Sequence, residues 1–111
     1  MQNEILKTES DRPVQINENY EPITFVDSLK NEVRALYITP NNIVEVANWC
    51  NGIVDEKDDD VLFTTSSFVE IEKDNKKMCF PVWTYIIEDQ ASEFGFRAMS
   101  CFDFESKYSE V

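Results

Sequence analysis

Residues 33–52 read VRALYITPNNIVEVANWCNG, and this stretch decides the fold. Val33 to Ile38 is rich in β-branched and aromatic residues and meets Pro40, which predicts a strand with a firm stop. A helix start follows. Either Thr39 caps it with Pro40 at the first helical position, or Asn42 caps it with Glu45 three residues on. Ile43, Val46, Ala47 and Cys50 recur at helical spacing, so a helix over about residues 41–51 buries one apolar stripe, with Trp49 beside it. Gly52 is expected as its C-terminal cap, where a positive φ costs glycine nothing.

Downstream, Asp55-Glu56-Lys57-Asp58-Asp59-Asp60 is expected to be a solvated acidic loop. Val61 to Thr65 predicts a strand, and Phe68 to Lys73 alternates cleanly between apolar and charged residues. Asp74-Asn75 supplies a turn, and Lys76 to Phe80 returns as the hairpin partner. Pro81 marks a bend or an edge, since it cannot donate to a central ladder. Val82 to Ile87 is the most strand-like run, followed by a polar loop from Glu88 to Glu93. Phe94 to Met99 predicts a last strand, and Phe102 to Tyr108 a short helix or turn. Upstream, Ile23 to Val26 predicts a short strand. Residues 1–20 are polar and carry Pro13, so they are expected as a flexible arm ahead of one domain over 21–111. The class is α+β: an antiparallel meander of about four to six strands with one principal helix packed on it.

Charge narrows the function. Asp and Glu number 22 against 10 Lys and Arg, a net charge of −12 on 111 residues. Holding phosphates requires cations, so direct nucleic-acid binding is disfavoured. A field of one sign steers association toward the opposite sign, which favours a partner protein with a basic surface. The chain has no histidine, the usual general base near neutral pH and the commonest metal ligand. Two glycines, Gly52 and Gly95, cannot build a phosphate-cradling loop. Cys50, Cys79 and Cys101 sit in apolar segments and are expected as reduced core or near-core residues. The acidic run lacks the glycine and alternating ligands of a calcium loop. No cofactor or metal is expected, and no segment approaches the ~20 apolar residues of a membrane span.

From about residue 32 to 111 the chain resembles a family of small phage and prophage proteins of unassigned activity. The matching residues are Val33 and Ala35 in the first strand, then Thr39, Asn42, Glu45 and Val46, with Gly52 at the helix end. Tyr85-Ile86-Ile87, Phe96, and Phe104-Glu105 with Tyr108 and Val111 complete the match. Ile38 stands where the family has tryptophan, and Trp83-Thr84 where it has Gly-Asp. The resemblance implies an accessory role in an infected bacterial cell, in its cytoplasm, and carries no catalytic residues.

Glu70 and Glu72 lie on one strand face, roughly 6.6 Å apart at the usual rise. Alternate phosphates of one DNA strand advance by roughly 6.8 Å along the axis. With Asp58, Asp59, Asp60, Glu88, Asp89 and Glu93 they would present carboxylates at phosphate-like intervals, as a nucleic-acid decoy requires. The same residues also suit a plain solvent face. The expectation is a non-enzymatic protein that binds and inhibits a host protein through these acids. Alternatives are a virion structural or assembly protein, a homo-oligomer joined through a sheet edge, or a small-ligand binder with a pocket at Lys73, Lys76 or Arg97. Trp83 and Tyr85, if they share an outward face, would make an interface anchor.

Overall fold

In the computed structural model, residues 19–59, 61 and 64–111 are described. The strand and helix read from residues 33–52 are present. Strand β1 is Ile23–Val26, β2 is Glu32–Tyr37, and helix α1 is Ile43–Cys50. Strands β3 (Ile53–Asp59), β4 (Thr64–Lys73) and β5 (Lys76–Pro81) follow. Then come β6 (Thr84–Glu88), β7 (Phe96–Ser100), helix α2 (Cys101–Lys107) and β8 (Ser109–Glu110). All pairing is antiparallel, so the α+β class and its principal helix are as expected. The strands divide between two sheets, one ordered β7-β6-β2-β1-β8 and the other β3-β4-β5.

The corner between β2 and α1 is held by a buried amide. Asn42 occupies the N-cap position, yet its side chain caps no helical N–H. It faces back instead: its Oδ1 accepts from the Thr39 N–H at 2.8 Å, and its Nδ2 donates to the Tyr37 and Asn19 carbonyls at 2.8 and 2.7 Å. The Asn42 N–H donates to Thr39 Oγ1 at 3.3 Å. Both alternatives for the cap thus contributed a residue, but as partners in one knot. Asn42 has 0 % exposure, so these bonds replace water that cannot reach it.

At the other end of α1, the left-handed residue is Asn51 (φ 58), not Gly52. Asparagine tolerates this conformation better than most side-chain-bearing residues. Gly52 is required for a different reason: a Cβ there would lie 2.7 Å from the Glu70 carbonyl oxygen. The glycine lets the chain leave the helix in contact with β4.

The five-stranded sheet is covered on both faces. Leu36, Ile38 and Ile86 pack with the α1 stripe and with Val69, Ile71 and Phe80 from the second sheet. On the opposite face Phe25, Ala35, Tyr85 and Ile87 pack with Phe104 and Tyr108. That double burial explains the unbroken apolar run Tyr85-Ile86-Ile87. Helix α2 starts where the Asp103 N–H donates to Ser100 Oγ at 3.1 Å. The turn at Asp74 and Asn75 has positive φ at both residues (54 and 65), as a type I′ hairpin requires.

Several expectations are corrected. Asp55 to Asp59 form most of β3, paired along its length with β4, where a loop was expected. The ladder with β4 outweighs the weak strand propensity of Asp and Glu, and the side chains described there stay exposed. Strand β6 begins at Thr84 rather than Val82, because Trp83 has φ 71 and turns the chain between the sheets. Cys79 is exposed on the outer sheet, Cys101 is half-buried, and only Cys50 is a core thiol. The pairing of β8 with β1 was not anticipated, since two residues carry no strand pattern. The expected arm lies outside the described residues except for Asn19 and Tyr20, as do Asp60, Leu62 and Phe63. No helix among the described residues is long and apolar enough to cross a membrane.

Asn42→Ala is expected to cost about 3 kcal/mol in urea unfolding, because it strands one N–H and two carbonyls in a dry corner. A loss under about 1 kcal/mol, the range of an ordinary substitution, would contradict that role.

Candidate functional site

Strand β3 is the edge of the outer sheet, and its register sets which side chains share the outer face. Ile53, Glu70 and Cys79 lie in one row across the three strands; Asp55, Phe68 and Pro81 lie in the next. Lys57 opposite Ser66 follows. The inward residues Val69, Ile71 and Phe80 are buried, so the outer face is anchored from beneath. An open depression of about 300 Å³ is lined by Lys57, Ser66, Ser67, Phe68, Cys79 and Pro81. Ile53 beside it is 58 % exposed. Carboxylates therefore flank an apolar patch.

The sequence-predicted acids divide by their partners. Glu70 and Glu72 do share the outer face, since both alternate with buried Val69 and Ile71. Glu70 is only 14 % exposed at its side chain and lies 3.6 Å from Lys77 Nζ. Glu72 is exposed and stands opposite Lys77 in the register. Asp58 accepts from Thr65 Oγ1 at 2.9 Å on the exposed edge. Asp59 ends β3, and Asp60 lies outside the described residues. The other three acids are drawn into internal ion pairs. Glu88 meets Arg34 at 3.4 Å, Asp89 meets Arg97 at 3.0 Å, and Glu93 meets Lys76 at 2.8 Å. Exposed pairs of this kind add little stability, yet they cancel local charge. Glu93 is thereby tied to β5 of the outer sheet, whereas Glu88 and Asp89 pair with Arg34 and Arg97 of the large sheet.

Asp55 and Glu56 belong to the exposed edge of β3, where the sequence reading expected a loop. No signal in the run itself shows the strand, since Asp55 to Asp59 take strand alternation only from their pairing with β4. The pocket expected at Lys73, Lys76 or Arg97 loses two of its cations, since Lys76 and Arg97 each engage a carboxylate. Arg97 also donates to the Tyr108 hydroxyl at 3.1 Å.

A second polar cluster lies where α2 meets the large sheet. Tyr85 is buried and stacks on Phe104, with ring centroids 3.8 Å apart, so it shares no outward face with Trp83. Its hydroxyl donates to Glu105 Oε2 at 3.3 Å, and the Cys101 thiol approaches the same oxygen at 3.4 Å. Burial pushes the Tyr37 phenol up to about 12, with the Cys101 and Glu105 charges and a hydrogen bond to Cys101 adding to it. Burial likewise raises the Cys101 thiol, helped by Glu105. Trp83, half exposed, sits beside Tyr37 with centroids 6.2 Å apart.

Comparison of the chain with protein-family models, curated proteins and solved structures finds no match.

The raised Tyr37 makes a sign-definite expectation. The unfolded chain ionises this phenol near 10 while the fold holds it neutral, so its contribution to stability declines as pH rises from about 10 to about 12. Alkaline ultraviolet titration should show a late tyrosine step between about 10 and about 12 that Tyr37→Phe removes. A titration curve whose late step is unchanged by the substitution would contradict the raised Tyr37.

Proposed function

We propose that this chain is a non-enzymatic bacteriophage accessory protein that binds and blocks a host protein with a basic, nucleic-acid-binding surface. One observation carries the proposal: β3 is an exposed edge strand whose carboxylates are spaced by a ladder with β4. Glu56 and Asp58 share one side of that strand, roughly 6.6 Å apart at the usual rise per residue. Asp55 and Glu72 stand on the outer face with Phe68 and Ile53, an apolar centre rimmed by charge in the manner of protein interfaces. The net charge of −12 steers this surface toward cations. Glu88, Asp89 and Glu93, each paired internally, take a lesser part than their sequence position suggests. The resemblance at Val33, Asn42, Tyr85 and Phe104-Glu105 supports the phage setting and the cytoplasm of an infected bacterium.

The test is capture from a bacterial lysate on the immobilised protein, with duplex DNA as competitor. Proteins released by DNA and by rising salt are expected, and D55N/E56Q/D58N should weaken their binding on the order of tenfold. Capture that resists both salt and DNA, or that survives the triple substitution intact, would sink the proposal.

A second reading is favoured by the opposite edge. The Asp89 N–H donates to the Gly95 carbonyl at 2.8 Å, so alternation directs the main-chain groups of Phe96, Ala98 and Ser100 away from β6, with the Phe96 carbonyl accepting from Ser92 Oγ at 2.7 Å. Arg97 is turned toward Asp89 and Tyr108, which leaves β7 without an exposed repelling charge. A two-fold pairing of β7 with its copy would continue the sheet. Light scattering should then give a dimer for the wild type and a monomer for Ala98→Pro, which lacks the outward N–H. A monomeric wild type would exclude this use of the edge.

A further inference from the structure

Trp83 combines two unfavourable features in one residue. Its φ of 71 is a region that a bulky side chain rarely enters, and the residue is 52 % exposed. The turn is clamped in place: the Trp83 N–H donates to the Ile38 carbonyl at 2.7 Å, and Thr84 Oγ1 donates to the Pro81 carbonyl at 2.7 Å. Glycine would serve such a turn without strain. A strained, half-exposed indole points to a use for the ring itself.

Its surroundings suggest the ligand. Trp83 and Tyr37 present two aromatic rings inclined at 51° with centroids 6.2 Å apart. The Tyr37 ring lies 5.0 Å, centroid to centroid, from that of Tyr85, whose hydroxyl donates to Glu105 Oε2 at 3.3 Å, and Cys101 Sγ lies 3.4 Å from the same oxygen. The Glu105 carboxylate thus stands at the end of a short chain of contacts from the aromatic pair. Among the described residues Glu105 makes no ion pair, although Arg34, Lys76, Lys77 and Arg97 all find carboxylates. Aromatic faces attract cations, and a guanidinium both stacks on rings and forks to a carboxylate. Phe102, 82 % exposed and adjacent to Cys101, adds an apolar shoulder that fits a protein partner rather than a small free cation.

We infer that Trp83, Tyr37 and Glu105 form a receptor for an arginine side chain of a partner protein. The inference deepens the proposed function, resting on its basic partner, but it uses a surface separate from β3. The guanidinium stacks against the Trp83–Tyr37 pair while its N–H groups bond the free oxygen of Glu105. Lysine fits less well, because a compact ammonium has no planar face to stack on the rings while it bonds the carboxylate.

The test uses capped Gly-Arg-Gly as the probe, with capped Gly-Lys-Gly and Gly-citrulline-Gly as comparators, followed through the indole N–H resonances of Trp83 and Trp49. The arginine peptide should shift the Trp83 resonance saturably and leave Trp49 unmoved. Glu105→Gln, which keeps the shape of the side chain, should weaken binding about tenfold, and Trp83→Leu, followed through the Glu105 backbone amide resonance, should abolish it. The β3 variant D55N/E56Q/D58N should bind the peptide as the wild type does, so failure of the acidic edge and failure of this receptor are separable. No saturable shift, an equal response to citrulline, or indifference to Glu105→Gln would each overturn the receptor.

Discussion

The rest of the structure depends on one buried amide. Asn42 ties the end of β2 to the start of α1 through the Thr39 N–H and the Tyr37 and Asn19 carbonyls. Each of these groups, left without a partner in a dry corner, would cost about 1–3 kcal/mol. The knot fixes the direction in which α1 leaves the sheet. That direction lays Ile43, Val46, Ala47 and Cys50 over Leu36 and Ile86, and the second sheet completes the cover with Val69, Ile71 and Phe80. Gly52 then carries the chain close against the Glu70 carbonyl and into β3. A change in the corner angle would move both sheets relative to each other.

What the sequence disclosed follows the range of the interactions. The α1 stripe, the Asp74-Asn75 turn and the alternation from Phe68 to Lys73 are local patterns, and each is seen in the fold. Strand β3 was missed because its pairing with β4 comes from residues on the far side of the acidic run, while its own composition argues for a loop. The two-residue strand β8 has too few positions for any period to show. The positive φ of Trp83 is imposed by bonds to Ile38 and by the change of sheet, which no property of tryptophan foretells. Among the acids, Glu70 and Glu72 were legible as neighbours on one face. The pairing of Glu88 with Arg34 spans 54 residues, and only the fold brings them together.

The charge of −12 is therefore not spread evenly in its effect. On the large sheet it is partly cancelled at Arg34 and Arg97, and Lys76 of the outer sheet cancels Glu93, whereas β3 keeps Asp55, Glu56 and Asp58 on an open edge. These carboxylates also keep a seven-residue edge strand from pairing with another chain, a common use of charge at sheet edges. Protection of the edge and attraction of a basic partner are compatible, because a partner that supplies cations removes the same repulsion. The aromatic corner at Trp83 offers a distinct kind of contact, short-ranged and shaped for a planar cation.

The central claim is that the acidic run is a folded edge strand that holds its carboxylates at fixed spacing. Residue-resolved amide hydrogen exchange across Ile53–Asp59 tests it most directly. An edge strand bonded on one side only should protect every second amide and leave those between them exchanging at rates near the unstructured limit. Uniformly rapid exchange along the whole run would contradict the account, since a loop would then carry the charge.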